Sequence, residues 1–292
     1  MGGTLIVSNS VHCIVGLEFY CFRECCVDNL KSQDDAFTFN HIPNDMRVLR
    51  LTKVLIKHID QPILEKIPPF IHTLKIENSQ RLKRVSVPTG LSALKITRTG
   101  LRRVDIAANS FLSSLEIYKC DLMKVPQVIL NAQMIQHLDI SSCKLRALNM
   151  AQFCDNSHLE SLVFDNNNIR FLVDTSNKRC SLYDSLKLLV LSSNKLTTIN
   201  MELFNVFIKL NRLQLHINRI TSISGRLNHS NLTILSIGEN QLQHVDLCDW
   251  NVPAMEVVTF TLNYLTMVPK CIGNWTSVKE LRLSHNKFTR NA

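Results

Sequence analysis

The groups of this 292-residue chain that could do chemistry are its 10 cysteines, 10 histidines and 24 carboxylates. Nucleophilic or acid–base catalysis needs such groups in a fixed constellation. The sequence carries no Ser/His/Asp or Cys/His set with motif support, no H-E-x-x-H and no glycine-rich phosphate loop. Asp139 and Asp165 have nothing beside them that would set up a reaction and read as surface charges. The histidines are spread along the chain, and no C-x-x-C pair or His/Cys cluster has the spacing of a zinc site. No catalytic residue, metal or cofactor is assigned, and disulfide formation is the better use of so many cysteines.

Charge is the next signal. The formal net charge is +9, and its steepest asymmetry lies between Arg81 and Val104. Arg81, Lys83, Arg84, Lys95, Arg98, Arg102 and Arg103 occur there with no acidic residue among them. An anionic patch on a protein, a polyanionic glycan or a lipid headgroup would suit such a run, and so would plain solvation. Nucleic acid would not, because the stretch has no aromatic residue on which a base could stack. Three sequons, at Asn228, Asn231 and Asn274, fall between the strands expected below and are candidates for glycosylation. The first two are so close that at most one is expected to be fully occupied.

The elements that must position these groups follow from a repeat. Aligned on L-x-x-L-x-L-x-x-N-x-L, the central leucine-type position falls at Leu49, Leu74, Leu94, Leu115, Leu138, Leu162, Leu189, Leu213, Leu235, Val258 and Leu281. The spacing of 20 to 27 residues is that of leucine-rich repeats. The expected fold is an α/β leucine-rich-repeat solenoid (a horseshoe) with a parallel sheet on its concave face, about eleven repeats over residues 46–292 and a cysteine-containing cap at 20–45. Residues 1–19 read as a weak signal-like segment, interrupted by Ser8, Asn9, Ser10 and His12. No run of 18 apolar residues suggests a membrane span.

Five residues beyond each centre stands a polar ladder, Ser79, Thr99, Cys120, Cys143, Asn167, Asn194, Asn218, Asn240, Asn263 and Asn286, broken only by Val54 in the first repeat. Buried amides there are expected to pair with backbone, since an unpaired one costs roughly 1–3 kcal/mol. Equal offsets in adjacent repeats stack about 4.7–4.9 Å apart, within reach of a disulfide. Cys248 and Cys271 each lie ten residues before their centres, and Cys154 and Cys180 lie eight and nine before theirs; this phase predicts Cys154 bonded to Cys180 and Cys248 to Cys271. Cys120 and Cys143 share a phase on the ladder and read as buried thiols. In the cap one bridge is expected from Cys21, to Cys25, Cys26 or Cys13.

Strand residues alternating with the inward leucines are the expected partner-binding positions: Arg50, Lys75, Lys95, Arg98, Tyr118 and Lys119 early in the chain, then Val163, Asp165, Val190, Arg212 and His216. The early end is basic and the middle apolar, with Leu188 beside Val163 and Val190.

Short motifs go beyond the repeat. The run Leu148-Asn149-Met150-Ala151-Gln152-Phe153-Cys154, then Cys180-Ser181-Leu182-Tyr183, Gly225-Arg226-Leu227, Asp246-Leu247-Cys248-Asp249-Trp250 and Val268-Pro269-Lys270-Cys271, resembles the secreted leucine-rich immune proteins of mosquitoes and related insects. Tyr20-Cys21 followed by Cys25-Cys26-Val27 is similar to their N-terminal cap. The resemblance implies an extracellular, non-enzymatic adaptor of innate immunity. Its partners would be a complement-like thioester protein, another leucine-rich-repeat protein or a microbial surface glycan. Heterodimeric members carry a coiled coil and further cysteines after the repeats; this sequence ends at Ala292, inside the eleventh repeat, and those features are not carried over. The ectodomain of a membrane receptor and a cytosolic regulator are the competing readings.

Overall fold

Each repeat opens with a strand whose leucines face one way. Val48–Thr52 reads V-L-R-L-T, with Leu49 and Leu51 buried and Val48, Arg50 and Thr52 half-buried. The pleat puts successive side chains on opposite faces. The computed structural model describes residues 12–14, 17–176 and 179–289, so most of the signal-like segment lies outside the described residues. The chain divides into two units, one reaching Leu122 and including Pro126–Ile135, the other comprising Met123–Val125 and the chain from Gln136 onward.

In the first unit Val48–Thr52, Thr73–Glu77, Ala93–Thr97 and Ser114–Tyr118 pair in parallel, with Leu49, Leu74, Leu94 and Leu115 in register. In the second, His137–Ser141, Ser161–Val163, Leu188–Val190, Arg212–Gln214, Ile234–Ser236, Val257–Thr259 and Glu280–Arg282 do the same, with Leu138, Leu162, Leu189, Leu213, Leu235, Val258 and Leu281 aligned. The chain is a leucine-rich-repeat solenoid. No single repeat can bury its own apolar face; stacking neighbours does so.

The return segments are short. In the first unit His58–Ile59, Arg84–Val87 and Arg103–Ile106 form a second parallel sheet. In the second unit Ala147–Asn149 pairs with Phe171–Val173 and Thr198–Asn200 with Ser222–Ser224. Tight 3-10 turns follow at Met150–Phe153, Ser181–Asp184 and Met201–Phe204. Asn149 and Asn200 cap two of these turns, accepting from the amides of Ala151 and Glu202. Among the described residues the α-helix is confined to the single turn Gln61–Leu64, because segments this brief cannot offset helix nucleation.

The cap closes the first repeat. Leu17–Cys21 runs antiparallel to Cys25–Asp28, which in turn lies parallel to Val48–Thr52 with Cys25 opposite Leu49 and Val27 opposite Leu51. Cys25 and Val27 are fully buried and cover the leucine row.

A left-handed residue precedes the ladder in every repeat. Lys53, Asn78, Arg98, Lys119, Ser142, Asn166, Ser193, Ile217, Glu239, Leu262 and His285 all have φ between 50° and 57°. This turns the chain out of the strand and lets the next side chain enter the core. Asn194 then donates from Nδ2 to the carbonyls of Phe164 (2.8 Å), Leu191 (3.1 Å) and Ser192 (3.0 Å) and accepts from the Ile169 amide (3.0 Å). Asn167, Asn218, Asn240 and Asn263 repeat this pattern, and the part-buried Asn286 makes its version at the last described strand. Where the ladder holds sulfur, the Cys120 and Cys143 thiols donate to the carbonyls of Tyr118 and Ser141. Ser79 accepts from the amide of Val54, the apolar exception.

Candidate partner-binding face

Among the described residues three disulfides form, two between segments flanking the sheets and one across the cap strands. Cys154 is joined to Cys180 and Cys248 to Cys271, with Cα separations of 4.3 and 4.9 Å, and Cys21 is joined to Cys25. Cys26, expected among the bridging cysteines, forms no disulfide and is a buried thiol. The reason is alternation. Cys25 lies opposite Cys21, so its neighbour Cys26 points to the other face, where it lies opposite Tyr20. Burial raises the Cys26 thiol, and its hydrogen bond to Tyr20 is the largest cause pushing that phenol up to about 12. Beside the bridge between Cys248 and Cys271, Trp250 and Trp275 stack with centroids 5.9 Å apart.

On the main sheet of the first unit, Arg50, Lys75, Lys95 and Glu116 stand in one file, in register across four strands. The file is largely compensated from within. Glu24 of the cap pairs with both Arg50 and Lys75, and Lys95 pairs with Glu116 at 2.6 Å. Tyr118, exposed, ends its strand, and the Lys119 ammonium lies 5.2 Å from its ring centroid. Arg98 and Lys119, expected as strand residues, are not on strands. Both occupy the left-handed turn position just past Ala93–Thr97 and Ser114–Tyr118.

The second unit presents a different face. Its two outward files read His137, Ser161, Leu188, Arg212, Ile234, Val257 and Asp139, Val163, Val190, Gln214, Ser236, Thr259. Val163, Leu188 and Val190 are adjacent there, Val190 being nearly buried, and Ile234 and Val257 form a second apolar pair on the far side of Arg212 and Gln214. Ile234 and Val257 lie past His216, the last outward position named from the sequence; the same offset applied to the next two repeats finds them. Asp165 and His216 follow their strands on the same outward phase, half-buried. The Ser192 hydroxyl lies 2.8 Å from His216 Nδ1. Ser192 is 1% exposed, so no substrate reaches that hydroxyl. Among the described residues no group of three His, Cys, Asp or Glu is placed to hold a metal, and no helix is long and apolar enough to cross a membrane.

Of the sequons, Asn228, Asn231 and Asn274 are all exposed. Asn231 donates from Nδ2, the atom that would carry a glycan, to the Ile208 carbonyl at 2.7 Å. Asn228 accepts on its side-chain oxygen from Asn251. Asn274 ends the turn Ile272–Asn274.

No protein-family model and no curated protein matches this chain. Solved structures do match. A chain of the octameric complex of Latrophilin 3, Unc5D and FLRT2 (LRR) aligns over 84% of this chain and 77% of its own, at 18% identity and a TM-score of 0.62. The LRIM1 leucine-rich repeat domain aligns over 78% of each chain, at 16% identity and a TM-score of 0.55. The LRIM1/APL1C complex aligns over 78% of this chain at 15% identity and a TM-score of 0.54, and this chain spans 52% of the length of that one. At such identities the likeness is one of fold.

Proposed function

We propose that this chain is a secreted, non-enzymatic recognition protein of insect innate immunity that takes a protein partner on the main sheet of its second unit. One observation carries the reading. Val163, Leu188 and the nearly buried Val190 make one apolar patch and Ile234 and Val257 a second, with Arg212 and Gln214 between them and Asp139 and His216 alongside. Apolar patches set among polar groups are what a non-obligate protein interface carries. The three disulfides favour an oxidising compartment, because cytosolic thiols are kept reduced. LRIM1 in complex with APL1C supports a second leucine-rich-repeat chain as the first partner class to try. The compensated cations of the first unit's main sheet are a weaker candidate, since a partner would have to displace Glu24 and Glu116.

The test is affinity capture from insect haemolymph with the wild-type protein and with Leu188→Glu/Val190→Glu, both secreted from insect cells and checked for the same disulfide map. The reading expects a partner retained by the wild type and lost by the variant. Identical retained sets would place recognition elsewhere.

A further inference from the structure

The basic run between Arg81 and Arg103 does not form one patch. Lys95 goes to the main sheet, where it meets Glu116, whereas Arg84 and Arg103 open strands of the second sheet of the first unit, with Lys83 and Arg102 immediately before them. His58 opens that sheet's first strand, with Lys57 immediately before it; both come earlier in the sequence and outside the run.

The stacking is regular. His58, Arg84 and Arg103 are in register, and the buried residues after them, Ile59, Val85 and Val104, fix the first three as outward-facing. One residue earlier, the Lys57 carbonyl accepts from the amides of Lys83 and Arg84, and the Lys83 carbonyl from those of Arg102 and Arg103. Lys57, Lys83 and Arg102 are thus aligned in a second row beside the first, with successive strands about 4.8 Å apart, and the Lys83 ammonium donates to the Gln80 carbonyl at 3.1 Å. Asp105 is the acid within the sheet strands. It accepts from Arg84 Nε at 2.5 Å and Arg103 Nε at 2.7 Å, which orients both guanidiniums and leaves them 48% and 66% exposed. Asp60, beside the first strand, accepts from Gln33. Five permanent cations therefore face these two carboxylates on one narrow strip.

We infer that the sheet formed by His58–Ile59, Arg84–Val87 and Arg103–Ile106 is a binding strip for a linear sulfated polysaccharide. Such a chain carries sulfate and carboxylate groups every few ångströms along its length, matching cations repeated at the strand spacing, and guanidiniums bind these oxyanions through paired hydrogen bonds. A membrane is disfavoured because the outward residues of the strip, Lys57, His58, Lys83, Arg84, Ser86, Arg102, Arg103 and Asp105, include no apolar side chain to enter lipid. A nucleic acid is disfavoured because the strip offers no Phe, Tyr or Trp ring on which successive bases could stack.

The test is binding of a size-defined heparin dodecasaccharide to the full chain. Two variants remove strip charge. Lys57→Gln/Arg102→Gln leaves Asp105 with its partners, and Arg84→Gln/Asp105→Asn/Arg103→Gln removes the carboxylate together with the cations it pairs. A third, Lys95→Gln/Glu116→Gln, alters the main sheet. All are checked by denaturation for the wild-type fold. The expected result is binding that weakens about tenfold or more in each strip variant, falls as salt rises, is unaffected by the main-sheet variant and disappears with desulfated heparin. Unchanged binding in both folded strip variants would overturn the proposal. So would equal binding of desulfated heparin, or tighter binding to phosphatidylserine vesicles or oligo(dT) than to the dodecasaccharide.

Discussion

The side-chain amide of Asn194 reaches across a repeat boundary to the carbonyl of Phe164, 2.8 Å away. Removing it strands the Ile169 amide and takes one of two donors from each of the carbonyls of Phe164, Leu191 and Ser192, which keep the Asn167 and Asn218 side chains and the Asn166 amide. Asn194→Ala should cost about 2–3 kcal/mol in chemical denaturation, and Asn286→Ala, at a part-buried site, distinctly less. Equal and small losses at both sites would mean that water replaces the ladder.

Ile217 sits at φ 55° in the turn position that its neighbours share, with its side chain exposed. A left-handed conformation costs an L-residue roughly 1–2 kcal/mol, less for asparagine. Ile217→Asn should therefore stabilise the protein by about 1 kcal/mol, raising the denaturation midpoint at unchanged slope. A destabilised variant would show that Ile217 makes contacts worth more than the strain.

The bridge between Cys154 and Cys180 spans 26 residues of sequence. Cys154→Ser/Cys180→Ser should lose about 2–4 kcal/mol, and a non-reducing peptide map of the wild type should recover the linked pair. Recovery of both as thiols from secreted protein would refute the pairing.

His229 is buried with both ring nitrogens committed. Nε2 lies 2.8 Å from the Phe207 carbonyl, and Nδ1 accepts from the Asn231 amide. The neutral ring donating from Nε2 satisfies both contacts, and a proton on Nδ1 would break the second. Burial pushes the imidazole below its ordinary value, the Phe207 hydrogen bond offsetting part of that. The unfolded chain thus takes up the proton first as pH falls. The stability His229 contributes is whole above about pH 6.5 and is lost as pH drops from there toward the depressed folded value. His229→Gln should flatten that part of the stability profile. A slope unchanged by the substitution would assign it to other groups.

Much of the solenoid is legible because its signal repeats: a leucine every second residue, at intervals of 20 to 27, cannot be satisfied by one helix face. Cys248 and Cys271 could be matched for the same reason, since each lies ten residues before its repeat's centre, and Cys154 and Cys180, eight and nine before theirs, come within one residue of such a match. The left-handed turn was not legible, because its occupants include lysine, serine, isoleucine, leucine and histidine and share only a backbone angle. That is why Arg98 and Lys119 read as strand residues. Compensation was hidden as well. Glu24 lies 26 residues before Arg50 and 51 before Lys75, and only the cap's fold brings it to them. Arg84 and Lys95 are close in sequence, yet the repeat sends them to different sheets.

Recognition through the second unit requires the outward files of its main sheet to contact a partner. Site-specific photo-crosslinking tests it most directly, with a benzophenone side chain placed at Arg212 on that face or at exposed Thr198 on the return segment. The protein is irradiated in insect haemolymph. A discrete adduct is expected from position 212 and none from 198. Adducts from 198 alone, or the same adducts from both, would contradict it.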